Sequence, residues 1–112
     1  MSNQHTSLAN GRWQTLSLAE QLANIGSEVE RALRWKSQGN EDYSRLAFER
    51  ALELLDLSLA TKLTAAQFSE LTRVREALVD YFMGDNLFSS TPKSWRTYFG
   101  AFTYLSRLRQ GA

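Results

Sequence analysis

The chain is interrupted at Gly39-Asn40, at Gly84-Asp85-Asn86 and at Thr91-Pro92, and the segments between these breaks are amphipathic stretches of nearly equal length. Each break has a physical reading. Glycine supplies the left-handed turn that ends a helix, asparagine and threonine cap the next one, and proline suits a first helical turn whose N–H has no partner to lose. Each segment carries an apolar stripe that only the other segments can cover. The expectation is an all-α, up-down-up-down antiparallel four-helix bundle.

The spacing predicts a first helix over residues 17–37. Ser17 stands three residues before Glu20 in capping-box register, and Leu18, Leu22, Ile25, Val29 and Leu33 follow at helical period. The second, over residues 41–60, starts behind Asn40, with Glu41 and Asp42 at the positive end of the helix dipole. Its apolar arc, which includes Ala47, Phe48, Ala51, Leu54 and Leu55, is wide enough to touch two neighbours and leaves Arg45, Glu49, Glu53 and Asp56 for water. Thr64 and Gln67 repeat the capping box before Phe68, Leu71, Leu78, Val79 and Phe82, giving a third helix over residues 65–83. The last, over residues 92–109, presents Trp95, Tyr98, Phe99, Phe102, Leu105 and Leu108 as an aromatic buried face. Residues 1–12 are polar and aperiodic and read as a disordered N-terminal tail, leaving 13–112 as one bundle domain.

Composition narrows the chemistry. A chain of 112 residues at 43% hydrophobic builds one core that removes roughly two-thirds of its unfolded surface from water. The absence of cysteine excludes disulfides and thiolate sites and points to a reducing, cytoplasmic setting. No apolar run approaches the roughly 18 residues needed to cross a membrane, so no membrane association is expected. The single histidine, His5, lies in the tail, and no histidine-bearing metal motif exists. The glycines are dispersed, without a phosphate-cradling loop, and no serine sits in a nucleophile elbow. Carboxylates such as Glu49, Glu53 and Asp56 have the spacing of a solvated helix face. These observations predict no catalytic residue, no metal, no cofactor and no enzymatic activity.

Three features stand apart. Arg75 falls on the same side of its helix as Phe68, Leu71, Val79 and Phe82, which predicts a buried charge paired to a carboxylate such as Glu28 or Glu53, or one snorkelling to the bundle's end, or else a clamp for an anion or a partner's carboxylate. Arg50, bordering the apolar arc between Leu46 and Leu57, has the same two readings. On the fourth helix Lys93, Arg96, Gly100, Tyr104 and Arg107 form a stripe, and beyond Asp85 the chain has no acidic side chain. Such a stripe either pairs with the acidic surface of the second helix (Glu41, Asp42, Glu49, Glu53 and Asp56) or follows RNA phosphates while Tyr104 stacks on a base. Trp35 lies off the main stripe of the first helix, which places it under the loop 85–90 against Leu87 or Phe88, or in the contact with a partner subunit.

The segment LANIGSEVERALRWKSQGNEDYSRLAFERALELLDLSL, from Leu22 to Leu59, resembles the small bacterial four-helix proteins encoded by ribosomal RNA intervening sequences, over about a third of the chain. The resemblance implies a four-helix fold. The third and fourth helices depart from that family. In size and helix count the chain also resembles four-helix proteins of the HEPN type, but it lacks their arginine followed closely by histidine: Arg75 is followed by Asp80 and Tyr81.

The functional expectation is a non-enzymatic interaction protein. Three tryptophans, four tyrosines and six phenylalanines are more aromatic surface than a bundle this short is expected to hide, so a homodimer or another protein partner should cover the excess. The alternative is an RNA-binding accessory protein that uses the stripe on the fourth helix.

Overall fold

The computed structural model describes residues 11–111, with side chains through residue 108. A short 3-10 turn (Trp13–Thr15) leads into four helices: α1 (Leu18–Ser37), α2 (Glu41–Leu59), α3 (Ala65–Met83) and α4 (Pro92–Gly111). No strand occurs among the described residues.

The helix starts are built as their sequences dictate. Ser17 and Glu20 form a reciprocal capping box, as do Thr64 and Gln67, and the Asn40 side chain accepts from the Tyr43 N–H. Thr91 and Ser94 exchange hydroxyl–amide bonds at the start of α4. Gly39 ends α1 in the left-handed region, with φ 78°. After Gly84 the chain does not turn straight into α4. It forms an ordered loop over residues 84–91, in which Asn86 and Ser89 take left-handed backbone angles.

Helix packing is consistent with a bundle, but it is unequal. α1 is the central element, packed along α2 on one side and α4 on the other; α3 lies chiefly against α2 and meets α4 through side chains, Tyr81 edge-on to Trp95 and Glu70 with Tyr98. Leu22, Ile25, Val29, Ala47, Ala51, Leu55, Leu71 and Leu78 make the core, closed by Trp95 and Phe99 from α4. Several side chains show which positions face each other. Across α1 and α2, Gln21 meets Ser58, Glu28 meets Arg50, and Ser44 donates to the Ala32 carbonyl. Across α2 and α3, Phe48 meets Phe82 and Asp56 meets Arg75. Across α1 and α4, Glu30 meets Arg96, and Gly26 lets the backbone of α4 come close at Phe99.

Trp13 extends the bundle beyond what the sequence pattern shows. It is 1% exposed, and its indole N–H donates to the Ser58 hydroxyl. Ser58 donates to the Gln21 side-chain oxygen, and the Gln21 amide donates back to the Trp13 carbonyl. The ring of bonds satisfies three buried polar side chains at once and fastens the entering chain to α1 and α2. Gly11 and Arg12, assigned to the tail by composition, form a turn leading into Trp13, and Thr15 donates to the Arg12 carbonyl; the rest of that tail, His5 included, lies outside the described residues.

Candidate interaction surface

A groove of about 640 Å³ lies between α3 and α4. Its walls include Ala66, Val74, Ala77, Trp95 and Tyr98, and Phe88 of the loop closes one part. One polar bridge spans it: the Tyr98 hydroxyl donates to the Glu70 carboxylate at 2.7 Å. Burial, followed by that carboxylate, pushes the Tyr98 hydroxyl well above the ordinary tyrosine range, so it stays protonated at neutral pH.

The loop 84–91 is stiff and carries apolar side chains outward. The Asp80 carboxylate accepts the Leu87 and Phe88 backbone N–H groups at 2.8 and 3.0 Å, and Asn86 and Ser90 exchange two further bonds. What these bonds hold in place is a Leu87 that is 83% exposed and a Phe88 that is 53% exposed. Phe68 on α3 and Leu105 and Leu108 on α4 are also about half exposed. The latter three are corrections to the expected buried faces. The periodicity places them on apolar stripes, but these positions are only half covered by their neighbours.

Arg75 is not the buried charge its wheel position suggests. Its side chain is 38% exposed and forms a two-pronged pair with Asp56, at 2.7 and 3.3 Å, instead of reaching Glu28 or Glu53. The reason is the edge of α2 that α3 meets, which presents Asp56 near the surface. Glu28, at 8% exposure, is the buried carboxylate, and it takes Arg50 at 2.6 Å and Arg31 at 2.5 Å. Arg50, 24% exposed along its side chain, is therefore the better buried of the two singled-out arginines.

The stripe on α4 also has a different neighbour. Arg96 pairs with Glu30 of α1 at 2.8 Å, not with the acidic surface of α2, because α1 is the helix that α4 lies against. Glu30 is held below the usual carboxylate range, chiefly by its bond to Arg96, with Arg34 adding to the effect. Lys93, Tyr104 and Arg107 are exposed, with no ion pair or hydrogen bond to other described side chains. Trp35 is half-buried, edge-on to Tyr43 at 4.9 Å across the α1–α2 turn, so it packs on α2 and not beneath the loop 85–90.

Among the described residues no group of His, Cys, Asp or Glu side chains is arranged to hold a metal ion, and no helix is long and apolar enough to cross a membrane. No family model, curated protein or solved structure matches the chain.

Proposed function

We propose that the chain is an up-down-up-down antiparallel bundle acting as a non-enzymatic interaction protein in the cytoplasm, self-associating or taking a protein partner on its open α3–α4 side. The observation that carries this reading is the unfilled groove lined by exposed Phe88, with exposed Phe68 in the depression beside it and Leu87, Leu105 and Leu108 exposed on the same loop and on α4. A rigid loop that holds two large apolar side chains in water is costly unless a partner removes them from it. The antiparallel arrangement is supported by the facing residues: moving forward along α1 moves backward along both α2 and α4, and the same reversal relates α2 to α3. The polar groups near the groove favour a non-catalytic role, since Tyr98 and Glu70 bind each other and Asp80 is committed to backbone amides.

The RNA reading keeps one supporting observation, exposed Tyr104 between uncommitted Lys93 and Arg107, but Arg96 in the same stripe is already paired with Glu30. Two measurements separate the readings. Self-association should appear in light scattering as a mass that rises with concentration and falls when Phe88 is replaced by serine. RNA retention, if present, would weaken steeply between about 50 and 200 mM salt, with a slope close to one logarithmic unit per neutralised phosphate. Strong salt-dependent retention by a monomeric chain would replace the first reading with the second.

A further inference from the structure

Next to the groove, and sharing Ser69, Arg73 and Phe88 with it, is a shallow depression of about 410 Å³ on the outer face of α3; Phe68, Thr72 and Glu76 complete its lining. Two opposite charges stand there side by side. Arg73 and Glu76 are three residues apart, on one exposed face, and neither forms an ion pair or a hydrogen bond with any described residue. Each has an obvious candidate partner that is not used. At i,i+3 spacing they are within reach of one another, and Glu70, equally spaced on the other side of Arg73, is held across the groove by the Tyr98 hydroxyl. The middle of an otherwise apolar and small-residue surface thus offers one open cation and one open anion.

We propose that this face of α3 is a two-fold interface with a second copy of the chain, in which Arg73 of each protomer pairs with Glu76 of its partner. The inference rests on the self-association reading above and assigns it a surface and a register. A two-fold axis crossing α3 between these positions sets the two helices antiparallel, so each Arg73 meets a Glu76 and the pairing occurs twice. Charge complementarity selects this occupant. A surface carrying one open charge of each sign at neighbouring positions is complementary to itself under a two-fold rotation, whereas a basic or an acidic partner would satisfy one charge and oppose the other. The apolar part of the contact comes from exposed Phe68 and Phe88, which line the same depression as the pair. Arg between aromatic side chains is the composition typical of an interface centre. The contact is small: a helix of 19 residues is about 28 Å long, and one face of it with one loop falls short of the roughly 800 Å² per partner of a standard stable interface. A contact of that size belongs with weak, reversible association.

Charge reversal tests the pairing without touching the core. In sedimentation at concentrations from about one to several hundred micromolar, the wild-type chain should associate, while Arg73→Glu and Glu76→Arg should each remain monomeric with unchanged circular dichroism. An equimolar mixture of the two variants should associate again, because every contact then joins opposite charges, and the double variant Arg73→Glu/Glu76→Arg should self-associate for the same reason. A wild-type dimer indifferent to either reversal, or variants that stay monomeric when mixed, would overturn this interface while leaving self-association through another surface standing. A wild-type chain monomeric throughout would overturn both.

Discussion

A methyl group added at Gly26 would sit 2.6 Å from Cβ of Phe99, closer than real carbon atoms approach, and both residues lie within helices that cannot easily separate. Gly26→Ala should therefore destabilise the chain by about 1–3 kcal/mol in urea unfolding, despite alanine's better helix propensity. Gly100 has open space around it on the same α4, and there the propensity gain of up to about 1 kcal/mol should appear unopposed. The reverse order of stabilities would show that α1 and α4 do not cross closely. Charged positions divide in the same way. Arg75→Ala removes a pair with side chains 38% and 53% exposed and should cost about 0–1 kcal/mol. Glu28→Ala removes the carboxylate between Arg31 and Arg50 and should cost more, on the order of 1–3 kcal/mol. Equal melting temperatures for the two variants would contradict the placement of Glu28 inside and Arg75 outside.

At the scale of the elements, α4 is joined to the rest chiefly through its α1 contact, of which Glu30 with Arg96 is a polar part. Since the folded Glu30 carboxyl is held below its ordinary range, the pair's contribution is present above the unfolded carboxyl's pKa and disappears as pH falls through the lower folded value. The stability difference between wild type and Arg96→Ala should accordingly be constant near neutrality and shrink below about pH 4. A difference that persists in strong acid would mean Arg96 acts through packing alone. Tyr98 behaves oppositely. Its raised pKa makes a contribution that is complete below the ordinary tyrosine value and is lost as alkali ionises the folded hydroxyl, a limb that Tyr98→Phe should reduce, the smaller remainder belonging to Tyr81, which burial also raises. The helices and their starts were legible in the sequence because capping is local chemistry: Ser17 with Glu20, Asn40, and Thr64 with Gln67 act as their spacing predicts, and Gly39 stops α1 in the left-handed region, whereas Gly84 ends α3 in an extended conformation, not the expected left-handed one. The neighbour of each helix was not legible. Periodicity marks which face of α4 is apolar but says nothing of which helix covers it, so of the two readings of the stripe the pairing with the acids of α2 gives way, for Arg96, to Glu30 of α1, the acid within reach. Trp13 was missed for a related reason: a single aromatic before the first periodic run has no pattern, and only the Ser58 and Gln21 side chains from two helices make its place polar enough for an indole N–H.

Over the whole molecule, one side is finished and one is not. One core runs through all four helices, whereas the α3–α4 side keeps an open groove lined in part by exposed Phe88 on a loop fastened by Asp80. Asp80→Ala removes both carboxylate bonds to the loop and should raise hydrogen exchange over residues 84–91 while leaving α1 and α2 protected. If the loop exists to present Leu87 and Phe88, that variant should also associate less well than wild type, whereas a loop that only joins two helices would loosen without any effect on association. The most direct measurement is sedimentation equilibrium of the unmodified chain across the micromolar range. The account predicts a mass moving from that of one chain toward that of two, with the shift abolished by Arg73→Glu. A single-chain mass at every concentration would contradict it.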